Sequence, residues 1–481
     1  MLLRFTALIA FLALILAALT VRAEPGACGI PLAAEEGWKV AQDRQRAGFD
    51  SRSLCAAERA FLESPRNLHS FLVERHGELV VDSYRAGPDR SSYWLWSRRK
   101  EFDKDALHDV RSITKSIVVL LWGIAEHEGR VPSLSTPVLN LLPTLSDLRS
   151  GGRDRITVAD MLCMRSGLAW DESGGYSRWM NDEHGLLWRG DRARYIFDRP
   201  IDSAPGSQFN YNGGLTAVLG LLLEERAGVD LDEYARKRLF DPLGIVDWEW
   251  TGDLRGRTRA FTGLRLRPRD LARIGRLVLD GGRWQGRQVV PEAWVRTLLS
   301  PCVSGEAYGH HWWAGKVRVG DKEVAWHGAL GNGGQRLFIV PSLDLAVVTT
   351  AGEYGEGSIG RVNLHLLQQV VAATREYVGA PSQISEAVRP ASTAPTPIET
   401  RATLRSVTEE DGGSRTYVYL KIMPKAKVPF TTLRFRVRDR ALLNGLSEGA
   451  TVKFRAERID GENTLTAIRG VPPCVRFQPC D

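Results

Sequence analysis

Ser112 and Lys115 stand three apart in "DVRSITKSIVVLLWG", residues Asp109 to Gly123, at the head of a very apolar run. On a helix, positions i and i+3 share a face, so the lysine ammonium can approach the serine hydroxyl. Crowded by apolar neighbours, Lys115 is expected to have a lowered pKa and to accept the serine proton. A serine in the first turn also lies near unpaired backbone N–H groups, which favour the negative charge that develops during attack. Ile113, Ile117, Val118, Leu120, Leu121 and Ile124 cover nearly all sides of this segment, so the helix should be buried. A serine and a lysine at this spacing also arise by chance in a long chain, so their companions must decide.

Other chemistry-bearing residues are weaker candidates. His310-His311 precede Trp312-Trp313, but adjacent strand residues face opposite ways, so the two histidines cannot chelate one ion, and the tryptophans read as core or cleft wall. Asp171 and Glu172 read as a solvated loop rather than an acid pair. No Cys-x-x-Cys or His-x-x-x-His spacing suggests zinc, and neither metal nor cofactor is expected.

The elements that must position Ser112 follow from pattern. "FLVERHGELVVDSYR" alternates on both sides of His76-Gly77, a hairpin signal, and "QRLFIVPSLDLAVVTTAG" gives two strand-like runs about Pro341-Ser342. Between them, "SIVVLLWGIAEHEG", "TAVLGLLLEERAG" and "PRDLARIGRLVLDGG" are helical and end at glycine. Terminal strands around a helical middle predict an α+β fold, an antiparallel sheet flanked by helices with an all-helical insert. "GAPSQISEAVRPASTAPTPIET" reads as a semi-extended linker. Beyond it, five strand-like stretches from "ATLRSV" to "NTLTAIRG" predict a small closed OB-like β-barrel. No solenoid-type repeat is present.

Several of these segments carry a resemblance. "SITKSIVVLLWGIAEHEGRV" resembles the nucleophile helix of the serine β-lactamase and penicillin-binding-protein superfamily. "ITVADMLCMRSGLAWDE", "PGSQFNYNGGLTAVLG", "YGHHWWAG" and "LGNGGQRLFIVPSLDLAVVTTAG" resemble its later segments in the family's order. The similarity runs from about Asn67 to Val378, closest to the class C-like 6-aminohexanoate-dimer hydrolase and esterase branch. It implies that Ser112 is the acyl-accepting nucleophile, Lys115 its proton partner, and Tyr211 a proton shuttle whose phenol is acidified by the neighbouring ammonium. It also implies an oxyanion site between the N–H of Ser112 and that of a strand residue.

Two departures matter. Relatives often read Tyr-x-Asn where this chain reads Tyr211-Asn212-Gly213, so that asparagine is missing from its usual place. Ala329-Leu330-Gly331 fall on the Lys-Thr-Gly motif, which makes Asn332 the second oxyanion donor beside Gly331 and removes the basic residue that grips a carboxylate. That absence counts against β-lactamase and carboxypeptidase activity. His327, two residues upstream of Ala329, shares its side of the strand and is a substrate-binding candidate.

"KIMPKAKVPFTTLRFRVRDRALLNGLSEGATVKFRAERIDGENTLTAI" resembles the periplasmic copper- and silver-binding chaperone domain of efflux systems. That family holds metal with a Trp-Pro-x-Met-Thr-Met stretch and an upstream histidine. Here Val428-Pro429-Phe430-Thr431-Thr432-Leu433 stand in the stretch, and no histidine follows His365. Soft cations need thioether, thiolate or imidazole, and Met423 alone does not make a site, so the barrel is kept and its metal lost.

With 481 residues, more than one domain is expected. Arg4 and the apolar run ending at Val21-Arg22-Ala23 read as a secretory signal, 1–23. The expected organisation continues with an N-terminal segment 24–66, a hydrolase domain 67–378, the linker 379–400, the barrel 401–470 and a tail 471–481. Export, to the periplasm or beyond, permits disulfides. Cys28 with Cys55 and Cys474 with Cys480 are the locally plausible pairs, though six cysteines allow fifteen pairings. The net charge is +7, and residues 401–481 hold fifteen Lys/Arg against nine Asp/Glu, so the basic character lies in the C-terminal part. It suits anionic envelope material or is simply a solvated face; no nucleic-acid partner and no membrane span after cleavage are expected. The expectation is an exported serine hydrolase acting through an acyl-enzyme on a small ester or amide. The alternatives are an inactive penicillin-binding-like protein that binds envelope material, a D-aminopeptidase or β-lactamase, and metal handling by the barrel.

Overall fold

The hairpin at His76-Gly77 forms as its alternation requires: β2 (Leu68–Arg75) and β3 (Glu78–Tyr84) pair antiparallel. The two turn residues have φ of 55° and 80°, the left-handed region that a two-residue hairpin turn demands. The structure is a computed structural model that describes residues 28–31, 37–90, 97–172, 181–305, 307–377, 400–410, 415–422, 432–459 and 462–471. The expected signal segment, the linker up to Glu399, Met423, Val428 to Thr431 and the Cys474/Cys480 pair lie outside the described residues.

The chain divides into two units, Met1–Gln383 and Ile384–Asp481. In the first, a seven-stranded sheet is ordered β1-β3-β2-β7-β6-β5-β4, with β1 (Lys39–Val40), β4 (Trp313–Val319), β5 (Lys322–Gly331), β6 (Gln335–Val340) and β7 (Leu345–Ala351). Only the β1–β3 pair is parallel; the other pairs are antiparallel. Alternation sends Leu72, Ala329, Leu337 and Val348 to one face, and Phe71, Val73, Phe338 and Val347 to the other. The second face is covered by α1 (Ser51–Leu62) and α7 (Ile359–Ala372). Helix α1 lies in the segment before Asn67, where the sequence showed no clear element. Against the first face pack α2 (Ile113–His127) and α5 (Pro268–Leu279), and beyond them α3 (Val158–Leu162), α4 (Gly213–Ala227) and α6 (Glu292–Leu299).

Helix α2 is the axis of that larger core. Every residue from Ile113 to Ala125 is buried, as the apolar residues on all its sides require. Helix α4 is capped by the Asn212 side chain, which accepts from the Leu215 N–H at 3.3 Å, and it ends at Gly228 with φ 70°.

The second unit holds a closed five-stranded barrel, β8 (Thr400–Glu410), β9 (Arg415–Ile422), β10 (Thr432–Val437), β12 (Glu462–Gly470) and β11 (Thr451–Ile459) in that order. Ala402, Leu404, Val418, Leu420, Phe435 and Phe454 fill it.

Cys28 and Cys55 are joined, as their proximity in sequence suggested. The second disulfide joins Cys163 to Cys302 across 139 residues, a pairing that no local spacing reveals. It ties the end of α3 to the loop after α6. Because a cross-link over so long a loop restricts the unfolded chain most, replacing both Cys163 and Cys302 by serine is expected to cost about 2–4 kcal/mol in urea unfolding.

Candidate active site

The turn into α2 is held in an unusual backbone conformation. Arg111 has φ 53°, and its N–H donates to Asp109 Oδ1 at 3.0 Å. A left-handed non-glycine residue costs roughly 1–3 kcal/mol and persists only where its surroundings fix it. Here the Val110 N–H donates to the Leu264 carbonyl at 3.0 Å, and the Arg111 guanidinium lies 4.1 Å from the Tyr354 ring centre. Ser112 follows as the residue that opens the helix, 9% exposed, with no side-chain cap bond of its own.

Lys115 reaches back along the helix. Its Nζ donates to Ser112 Oγ at 3.1 Å and to the Phe261 carbonyl at 2.9 Å, and it pairs with Glu183 Oε2 at 3.4 Å. Lys115 and Glu183 are both fully buried. The surroundings of the lysine are thus polar at its tip, where the sequence suggested apolar crowding. Tyr211 enters from the segment before α4. Lys115 Nζ lies 5.1 Å from its ring centre, and the Ser112 hydroxyl is among the groups that act on the phenol. Burial raises the Tyr211 pKa, and the Lys115 ammonium only partly opposes this. The expectation of an acidified phenol is therefore corrected: Tyr211 is a neutral donor at neutral pH.

Glu172 corrects a second expectation. It is not in a solvated loop: Oε1 accepts from the Gly213 N–H and from Trp170 Nε1 at 2.6 Å, while Oε2 is buried without a partner among the described residues. Burial, then the neighbouring Glu183 charge, pushes its carboxyl up to about 7, against the pull of Lys115. Asp171 remains exposed. Gly213 stands where relatives carry asparagine, and carboxylates occupy the space. A Cβ there would lie 3.0 Å from both Glu172 Oε1 and Glu183 Oε2, and 3.2 Å from Lys115 Cε. Glu183 and the Phe261 carbonyl had no signal in the sequence. Glu172 could have been found, since it closes the family-like "AWDE" segment.

The strand side of the site is set by how far β5 outruns its neighbour. Trp313 at the start of β4 pairs with Gly328, so Ala329, Leu330 and Gly331 are paired only to β6. Gly331 meets the nucleophile turn directly: a Cβ on it would lie 2.4 Å from the Val110 carbonyl oxygen and 3.2 Å from Arg111 Cβ. Asn332 follows, with Oδ1 accepting from the Gly355 N–H at 3.0 Å. Among the described residues, the N–H groups of Ser112 and Asn332 make no hydrogen bond. His327 lies on the same face of β5 as Ala329 and is half-buried, and desolvation lowers its pKa, so it is neutral near pH 7.

Four aromatic rings form a wall beside Ser112. Tyr211 stacks on Trp313 at 5.9 Å between ring centres, and Tyr308 and Phe209 meet Trp313 edge-on at 4.8 and 6.2 Å. His310 and His311 precede β4 in a turn, not in a strand, and His311 has φ 57°. They still diverge. His311 bonds to Thr216 Oγ1 and the Leu162 carbonyl, both at 2.8 Å, and His310 Nε2 lies 3.9 Å from Cys163 Sγ. Trp312 is core and Trp313 is cleft wall.

Two outcomes are expected from this geometry. The folded state holds the Glu172 proton more tightly than the unfolded chain does, a contribution present at low pH and lost as pH rises through about 7. Calorimetric melting of Glu172→Gln should therefore match the unaltered protein at about pH 4 and exceed it at about pH 8. Gly213→Asn should push the Glu183 carboxylate off Lys115 and lower kcat about 10²-fold in steady-state assays.

The beta-lactamase family description matches residues 69–370, and that of the copper-binding periplasmic protein CusF matches residues 422–470. A 6-aminohexanoate-dimer hydrolase from Paenarthrobacter ureafaciens is 28% identical over 304 residues, 58% of this chain and 71% of that protein. A lovastatin esterase from Penicillium rubens is 36% identical over 87 residues, 18% of this chain and 21% of the esterase. Among solved structures, one assigned to a 6-aminohexanoate-dimer hydrolase from Bacillus anthracis superposes with a TM-score of 0.52 at 19% identity, covering 65% of this chain and 80% of that one. The fold agrees with the mixed sheet-and-helix architecture expected from the sequence. The chain belongs to the beta-lactamase family and, like the relatives it matches, is a serine hydrolase with a CusF-like C-terminal domain.

Proposed function

We propose that the protein is an exported hydrolase that cleaves a small ester or amide through an acyl-enzyme on Ser112. The observation that carries this reading is the Ser112 hydroxyl accepting from Lys115 Nζ at 3.1 Å, with the Tyr211 ring centre 5.1 Å from that same nitrogen. Lys115 Nζ first passes one proton to the Glu183 carboxylate it contacts, and the amine so formed takes the Ser112 proton while Oγ attacks the carbonyl carbon. The oxyanion that forms is stabilised by the N–H groups of Ser112 and Asn332. Tyr211, a neutral phenol, protonates the leaving alcohol or amine, and Lys115 returns the proton. Water then repeats the sequence on the acyl-enzyme.

The substrate class follows from what surrounds the serine. The names of the curated relatives speak of an amide dimer and an ester. Ala329 stands where a β-lactamase or carboxypeptidase keeps a cation, and His327 on the same face is neutral, so neither of these two residues offers a charge to a substrate carboxylate. The aromatic wall favours an apolar or aryl acyl group. Export is supported by the N-terminal sequence and by the CusF-like domain. Among the described residues no helix is long and apolar enough to cross a membrane. Exposed Arg434, Arg438 and Arg469 on the barrel suit anionic envelope material.

A fluorophosphonate probe should label the unaltered protein and leave Ser112→Ala unlabelled, with hydrolysis of a chromogenic short-chain ester falling at least about 10⁴-fold in that variant. Tyr211→Phe should retain the fold and lose at least about 10²-fold in kcat. Labelling that persists in Ser112→Ala would move the nucleophile elsewhere.

A further inference from the structure

His69 on β2 and His108, four positions before Ser112, are both fully buried, with His69 Nδ1 lying 2.8 Å from His108 Nε2. The outer nitrogen of each ring is also committed. His69 Nε2 lies 2.9 Å from Asn67 Oδ1, and the Asn67 amide cannot be turned over, because its Nδ2 donates to the Pro88 carbonyl at 2.7 Å. His108 Nδ1 lies 3.3 Å from the Asp109 carbonyl. Both outer partners are acceptors, so both outer nitrogens carry protons. A neutral imidazole has only one N–H. With those two protons in place the inner nitrogens face each other with lone pairs at 2.8 Å, an arrangement that a cation between them satisfies.

A third proton would create an imidazolium in a fully buried position, which is costly. The alternative is a metal ion, and a third ligand stands ready for it. Asp89 Oδ1 lies 4.0 Å from His108 Nε2, and the three donor atoms are all within 4.8 Å of one another. The Tyr354 hydroxyl donates to that same oxygen at 2.6 Å, and Phe102 stacks on His69 at 4.1 Å. Two imidazoles, each with its outer N–H oriented by an acceptor, and a hydrogen-bonded carboxylate make up a familiar ligand set for zinc and its neighbours. With Zn–N bonds of about 2.0–2.1 Å, tetrahedral geometry separates two nitrogens by about 3.3 Å, so the rings need to part by only about half an ångström.

We propose that His69, His108 and Asp89 form a binding site for a divalent transition metal of the zinc type, which fastens the segment leading into the nucleophile helix onto the central sheet. The ligands lie on three separate elements, too far apart in sequence for a spacing motif to reveal them. The fourth position is filled by water or by a small shift of Tyr354.

The test uses tag-free full-length protein stripped with chelator, titrated with ZnCl₂ by calorimetry and with Co²⁺ by absorption spectroscopy. Expected are one Zn²⁺ per chain, the intense visible bands of four-coordinate Co²⁺, and a rise of a few degrees in melting temperature with excess Zn²⁺. Ser112→Ala should bind as the unaltered protein does. Asp89→Asn, close in shape to the native residue, and His108→Gln should each lose the stoichiometric uptake. The proposal is overturned if the folded unaltered protein takes up neither ion, which would leave the third proton as the cation. Uptake undiminished in both variants would also overturn it, by placing the metal elsewhere in the chain.

Discussion

The site depends on where one ammonium group is anchored. Lys115 Nζ is fixed by acceptors from three separate parts of the chain: Ser112 Oγ one turn back, the Phe261 carbonyl, and the Glu183 carboxylate. A lysine buried to this degree is tolerated only when each of its donors is satisfied. Each anchor therefore ties the lysine to a different packed part of the chain. Phe261 precedes Leu264–Leu266, the short strand that pairs with His108–Asp109. The segment that grips the lysine thus also holds the turn that delivers the serine.

Geometry of the same kind explains why the backbone is strained where it is. Arg111 in the left-handed region lets the chain leave the His108–Asp109 strand and enter α2 within two residues, with Ser112 at the corner. Gly331 comes up against that corner so closely that no side chain fits. The uncovered edge of β5 and the first turn of α2 meet without intervening atoms, as an oxyanion site built from one N–H of each requires.

Much of this was legible in the sequence because it rests on periodicity. The burial of α2 on all sides, the hairpin at His76-Gly77, the strands about Pro341 and the five strands of the barrel all follow from apolar spacing. What was not legible depends on contacts between distant segments. The Cys163–Cys302 bond spans 139 residues, and Glu183 and Phe261 become neighbours of Lys115 only once the helical insert has packed. Two errors have specific causes. His310 and His311 were read as strand, but the chain turns at His311 before β4 begins. Tyr211 was expected to be acidified by Lys115, yet the loss of water around the phenol outweighs one nearby charge.

Gly213 has a consequence for how this site could change over time. The volume that an asparagine side chain would fill is already taken by the carboxylates of Glu172 and Glu183. A single replacement toward the common motif would pass through an overcrowded intermediate, and removing Glu183 first would leave the lysine short of an acceptor. The three positions therefore form an epistatic unit. Sequences that move between the two arrangements are expected to change them together, and ancestral reconstructions that alter one alone should yield poorly active proteins.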